Sequence, residues 1–150
     1  MRCVTRCVTV VLLAACLFVG ADLLGADKAL SDKDLIQPDQ AAKVLKSALV
    51  IHVGFPVLYR SVHITGTSFA GPGSKEEGIA DLKKAVAGQP HDRDIILYCG
   101  CCPFDKCPNI RPAVAALHQM GFAHVKAMMI ETNLKTDWID KGYPTDKRAE

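Results

Sequence analysis

Residues 94–112 read Asp94-Ile95-Ile96-Leu97-Tyr98-Cys99-Gly100-Cys101-Cys102-Pro103-Phe104-Asp105-Lys106-Cys107-Pro108-Asn109-Ile110-Arg111-Pro112. After Asp94, residues 95–98 are a short apolar run rich in branched side chains, the pattern of a strand buried on both faces. Cys99 follows directly. Residues 112–120 (PAVAALHQM) then carry a helical pattern that Gly121 stops. A cysteine at a strand end, facing a loop that leads into a helix, has a physical advantage. Loop N–H groups and the positive end of the helix favour the thiolate, which is the nucleophilic form. Lys106 and Arg111 can add positive charge, although long cationic side chains are ordinarily solvated.

On either side of this segment strands and helices alternate. Pro38 opens a helix with Ala41, Ala42, Val44 and Leu45 on one face. Residues 48–53 (ALVIHV) form a second buried strand, broken by Gly54 and Pro56. Residues 59–69 read as a turn and a short strand. Ser74 and Glu77 have capping-box spacing, so a helix is expected from Ser74, with Ile79, Leu82, Ala85 and Val86 on its apolar face and Gly88 and Pro90 at its end. Residues 124–130 (HVKAMMI) form a third strand, with Met128 and Met129 as core residues. A last short helix over Leu134 to Lys141 carries Trp138, and Gly142 and Pro144 close it. The alternation predicts an α/β domain with helices on both faces of a mainly parallel sheet. The ends of its strands, where Cys99 lies, are where such sheets carry their working groups.

The chain has 150 residues, enough for one domain, and 49% of them are apolar. With 18 basic and 16 acidic residues the net charge is only +2, which argues against a nucleic-acid partner. At the N-terminus, Arg2 and Arg6 precede an apolar run from Cys7 to Val19, and small residues follow in Val19-Gly20-Ala21 and Leu24-Gly25-Ala26. This is the layout of a secretory signal peptide over residues 1–26, cleaved after Ala26 or Ala21, and the run is short for a membrane span. An uncleaved anchor, or lipid attachment at Cys16 of Leu13-Ala14-Ala15-Cys16, would tether the protein to a membrane. The expectation is an exported, periplasmic or secreted protein. Residues 27–36 form a polar lead-in, residues 37–145 the domain and residues 146–150 a tail. Of the seven cysteines, four then remain: Cys99, Cys101, Cys102 and Cys107. Outside the cytoplasm they can oxidise and stay oxidised.

From Leu35 to Tyr143 the chain resembles a single rhodanese domain. Four pieces carry the resemblance: the strand Ala48–Val53, the stretch Tyr59-Arg60-Ser61-Val62-His63-Ile64-Thr65-Gly66-Thr67, the strand Ile95–Tyr98 ending in Cys99, and the order Ala115-Ala116-Leu117, Gly121-Phe122, Val125, Trp138, Gly142-Tyr143-Pro144. The resemblance implies a three-layer α/β/α fold and sulfur transfer without a cofactor. Cys99 would attack the outer sulfur of a small donor such as thiosulfate or a persulfide, become a persulfide, and yield the sulfur to a thiol or a partner protein. Amides from Gly100 onward would cradle the sulfur, with Lys106 and Arg111 near the anion. Three features depart from the family pattern. Cys99 and Pro112 are thirteen positions apart, where the family places about six residues before the helix. The family's Asp-Val-Arg stands here as His52-Val53-Gly54, and its Gly-Gly before the last helix as Glu131-Thr132-Asn133.

The additional loop thiols allow other chemistries. Cys101, Cys102 or Cys107 can attack a persulfide or a disulfide partner on Cys99, giving a thiol–disulfide redox or oxidant-scavenging domain. A disulfide from Cys107 to Cys101 or Cys102 closes a small loop, worth roughly 2 kcal/mol, a modest gain for a purely structural purpose. Cys99, Cys101, Cys102 and Cys107 together offer four soft ligands for Cu(I) or Zn, at a spacing tighter than that of structural zinc knuckles. Among the histidines, His63 is expected to tie a turn, and His52, in a buried strand, to be hydrogen-bonded or near the site, where it could accept a proton. His118 and His124 are expected at the surface or at helix ends. The fifth is His91.

Overall fold

A computed structural model describes residues 30–147. The expected signal segment 1–26, with Cys3, Cys7 and Cys16, and the last residues of the tail lie outside the described residues. The central strands form where the sequence has no polar face to offer water. Strands β1 (Leu35–Ile36), β2 (Leu49–His52), β4 (Ser68–Phe69), β5 (Ile95–Tyr98) and β6 (Val125–Met128) make one sheet in the order β1-β6-β5-β2-β4, every pair parallel. Strand β3 (His63–Ile64) pairs antiparallel with β7 (Thr145–Asp146) in a separate ribbon.

The side chains of β5 alternate between two cores, as the strand period requires. Ile95 and Leu97 pack on one side with Leu82, Val86, Ala113, Val114 and Leu117 from helices α3 (Glu76–Ala85) and α4 (Ile110–Gln119). Ile96 and Tyr98 pack on the other with Ala41 of helix α1 (Pro38–Val44), Ile64, Leu134 and Trp138. The result is the expected three-layer α/β/α arrangement. Helix α1 starts with Pro38 in its first turn, and α3 has Glu76 and Glu77 in its first turn and Lys83 and Lys84 in its last, the arrangement that the helix dipole favours. No helix among the described residues is long and apolar enough to cross a membrane.

Several local expectations change. Leu35 and Ile36, read as lead-in, form an edge strand on β6, held by main-chain pairing to Ala127 and Met128. A helix α2 (Pro56–Ser61) replaces the break and turn, because Pro56 is pre-shaped for a first helical turn. Val44 turns outward, while Ala41 of the same helix is buried. Helix α3 starts at Glu76 and not at Ser74, whose amide donates instead to the side chain of Asn109, 35 positions away. Helix α4 starts at Ile110, two residues before Pro112. Pro112 then sits in the first turn, where its missing N–H removes no helical bond. The last helix is a single π-helical turn (Lys135–Ile139). Its fully buried Trp138 donates from the indole N–H to the Pro144 carbonyl at 3.0 Å.

Helix α3 crosses the loop before it at Gly78, where an added Cβ would overlap the carbonyl oxygen of Pro72. Gly78→Ala should therefore destabilise the domain by about 1–3 kcal/mol in chemical unfolding, the usual range for overpacking. Helix propensity alone predicts a gain of about 1 kcal/mol, so the sign of the change decides whether this close approach is real.

Candidate thiol site

Cys99 follows the last residue of β5, and the amide of Val53 bonds the Tyr98 carbonyl beside it at 2.8 Å. Its sulfur lies against the backbone of Gly54, where a Cβ would stand 2.8 Å from the Cys99 Sγ and 2.8 Å from the His52 ring. Position 54 therefore admits glycine alone without displacing the thiol or the imidazole. The loop from Gly100 to Asn109 is pinned at three points. The Gly100 carbonyl accepts from the Leu134 amide at 3.1 Å, the Phe104 amide donates to the Ile130 carbonyl at 2.8 Å, and the Asn109 Oδ1 accepts from the Ser74 amide at 3.1 Å. Between these points Phe104–Lys106 make one 3-10 turn. Gly100 takes φ of +74°, a left-handed conformation that suits glycine.

These constraints bring all four loop thiols together. Cys99 and Cys101 have sulfurs 3.2 Å apart, as do Cys101 and Cys102. The sulfurs of Cys99, Cys101 and Cys107 all lie within 4.8 Å of one another. Cys99 and Cys107 are buried, Cys101 and Cys102 half-buried, and none of the four is in a disulfide. Lys106 and Arg111 do not join them. Lys106 is exposed, and Arg111 lies over the Phe104 ring and donates to the Asp105 carbonyl at 3.4 Å.

Asn109 belongs to this site, and nothing in its sequence position says so. It stands at the N-cap of α4, where asparagine ordinarily caps its own helix, yet its side chain makes no capping bond. It is fully buried, and its Nδ2 donates to the Cys99 sulfur at 3.3 Å. Cys107 lies two residues before Asn109, the N-cap of α4.

The electrostatics follow from that placement. The neighbouring Cys107 and burial push the Cys99 thiol well above its usual range, while Asn109 opposes the shift. The neighbouring Cys99 and the start of α4 hold Cys107 below its usual range despite burial. Two thiols this close titrate as a pair, with the proton held more tightly on Cys99. The donor that reaches the Cys99 sulfur is the side-chain amide of Asn109.

His52 is buried beside Cys99. Its Nδ1 accepts from the Gly54 amide at 3.3 Å, and its ring packs edge-on to Tyr98 and stacks on Phe69. Burial holds it down to about 4, with a smaller opposing contribution from a bond to the Cys99 backbone. It is neutral at pH 7, and the ring nitrogen facing Gly54 is already occupied. His63 ties its turn as expected, stacking on Tyr59 with Nδ1 at 2.8 Å from the Tyr59 carbonyl oxygen. His118 and His124 are exposed.

Two pH dependences follow. The unfolded chain protonates His52 near 6.5 and the folded chain near 4. Stability is therefore complete above 6.5 and falls as pH drops towards 4, by roughly 3 kcal/mol in all. A His52→Asn variant should lose that part of the acid sensitivity in unfolding curves taken across this range. In the reduced protein, ultraviolet thiolate absorbance should show about one thiolate per chain titrating well below the ordinary thiol value of about 8.5. Cys107→Ser should move that transition upward.

No family model and no curated protein matches the chain. Solved structures do match it. It is similar to a rhodanese-like domain from an Anabaena species, with 22% identity over 76% of this chain and 79% of that one and a TM-score of 0.55. It is similar to a protein from Bacillus halodurans, with 18% identity over 77% of each chain and a TM-score of 0.59. A rhodanese-related protein from Thermoplasma volcanium matches at 19% identity over 75% of this chain and 96% of that one, with a TM-score of 0.50. The parallel sheet and the helical layers on its two faces are those of the rhodanese-like fold.

Proposed function

We propose that this domain is a sulfurtransferase or persulfide carrier that works after export, with Cys99 accepting sulfane sulfur. The observation that supports it most is the surroundings of the Cys99 sulfur at the end of β5. The Asn109 side-chain amide donates to it at 3.3 Å, the Cys101 sulfur lies at 3.2 Å, and Cys107 lies within 4.8 Å. In the uptake step Cys99 first passes its proton to the neighbouring Cys107. The Cys99 thiolate attacks the outer sulfur of thiosulfate, the S–S bond of the donor breaks, and its electrons leave with sulfite. The same attack on a small persulfide releases a thiolate. Lys106 and Arg111, on the outside of the loop, supply a positive field for an anionic donor. The outer sulfur then passes to a thiol acceptor.

A second function rests on the same sulfurs. Cys99, Cys101 and Cys107, within 4.8 Å of one another, fit a three-thiolate soft-metal site for Cu(I) or Zn, with Cys102 adjacent. The donor set is all sulfur and partly buried, which suits a soft ion.

Intact mass of the reduced domain after brief exposure to thiosulfate, with sulfite measured in the same tube, separates the two. Sulfur transfer predicts one sulfite released per chain, and no release from Cys99→Ser. Absence of sulfite from the native chain, together with one Cu(I) or Zn retained per chain and lost from Cys99→Ser, would reject transfer in favour of metal binding.

A further inference from the structure

From the placement of the four sulfurs we infer that the site reduces the sulfur it accepts: Cys107 displaces it from Cys99 as hydrosulfide and leaves a Cys99–Cys107 disulfide. This rests on Cys99 being the acceptor. The resting loop already holds Cys107 within 4.8 Å of the Cys99 sulfur, and both are buried, so a persulfide formed on Cys99 has a second thiol beside it before any outside acceptor arrives. Of the three neighbours, Cys107 alone is buried with Cys99, and it lies just before the ten-residue helix α4, whose positive end favours a thiolate. Attack on a disulfide-type bond needs the thiolate. Cys101 is nearer, at 3.2 Å, but it is separated from Cys99 only by Gly100. The Gly100 carbonyl is tied to Leu134, and a disulfide across one residue demands a backbone adjustment that this tie resists.

The balance is complete without an outside oxidant. After uptake, Cys99 carries –S–S⁻ and Cys107 carries the proton. The proton passes to the outer sulfur. The Cys107 thiolate attacks the inner sulfur, forming the Cys99–Cys107 bond, and the S–SH bond breaks with its electrons on the leaving HS⁻. Two thiol sulfurs are oxidised by two electrons in all, and one sulfane sulfur is reduced to sulfide. Resetting the site takes two electrons from an external dithiol. The half-buried Cys101 and Cys102, in line from Cys99 at 3.2 Å steps, give that reductant a route by thiol exchange.

The test is a single turnover of the reduced chain with one equivalent of thiosulfate and no added thiol. Sulfite and volatile sulfide are measured, the protein is quenched in acid and alkylated, and its disulfides are mapped. We expect one sulfite and one sulfide per chain, a protein lighter by two hydrogens, and a Cys99–Cys107 linkage. In Cys107→Ser, whatever its rate of sulfite release, each sulfite released should leave one sulfur retained on Cys99, with sulfide at the level of the Cys99→Ser background. Sulfite without sulfide from the native chain, with the sulfur still on Cys99, would overturn the inference and leave sulfur acceptance standing. So would sulfide with Cys99 linked to Cys101 or Cys102. No sulfite from the native chain would remove the acceptor role itself. Mapping on the native chain decides the matter even if Cys107→Ser does not fold.

Discussion

Asn109 is fully buried, and its side-chain amide has two partners: it donates to the Cys99 sulfur and accepts from the Ser74 amide. A buried amide left without partners costs about 1–3 kcal/mol, so this residue fixes where both must lie. The loop before α3, the end of β5 and the start of α4 meet at this one side chain. Its backbone is equally constrained, because Gly73 packs so closely on the Asn109 carbonyl that a Cβ there would overlap it. The cysteine loop, longer than a cradle around one sulfur needs, owes its order to this joint and to the bonds at Gly100 and Phe104.

From that joint the distribution of charge follows. An asparagine that capped its own helix would take up one of the helix-start amides. Here the side chain turns to Cys99 and makes no capping bond. Burying a lone thiolate beside β5 would be costly. A side-chain N–H and a neighbouring thiol at the Cys99 sulfur lower that cost.

The middle of the fold was legible because it is mostly apolar. Strands β2, β5 and β6 are apolar runs apart from the buried His52 and the half-buried Lys126, and their order with α3 and α4 determines a parallel three-layer domain. The edges were not. Leu35–Ile36 is too short for any periodicity, and main-chain bonds to β6 make it a strand. Helix α2 hides behind Gly54 and Pro56, which punctuate a sequence in the same way whether they end a strand or begin a helix. Ser74 and Glu77 have the right spacing for a cap, but a residue 35 positions away claims the Ser74 amide. The same limit applies at the site. Cys99 was visible because strand, cysteine and helix follow in order. Asn109 was not, because its contact with Cys99 depends on the path of the loop between them.

The departures from the family pattern also make sense together. With Gly54 after the first core strand, the Cys99 sulfur and the His52 ring come against the bare backbone. The imidazole is satisfied by the Gly54 amide and by aromatic neighbours, so it holds the end of β2 without a charge. In a cradle made of backbone N–H groups, the space around the sulfur is filled by donors. Here much of it is filled by other sulfurs, buried at Cys99 and Cys107 and half-buried at Cys101 and Cys102. Such a shell can still stabilise negative charge, through the thiol groups that surround it. It also supplies nucleophiles, so the groups that hold the reacting sulfur are able to react with it.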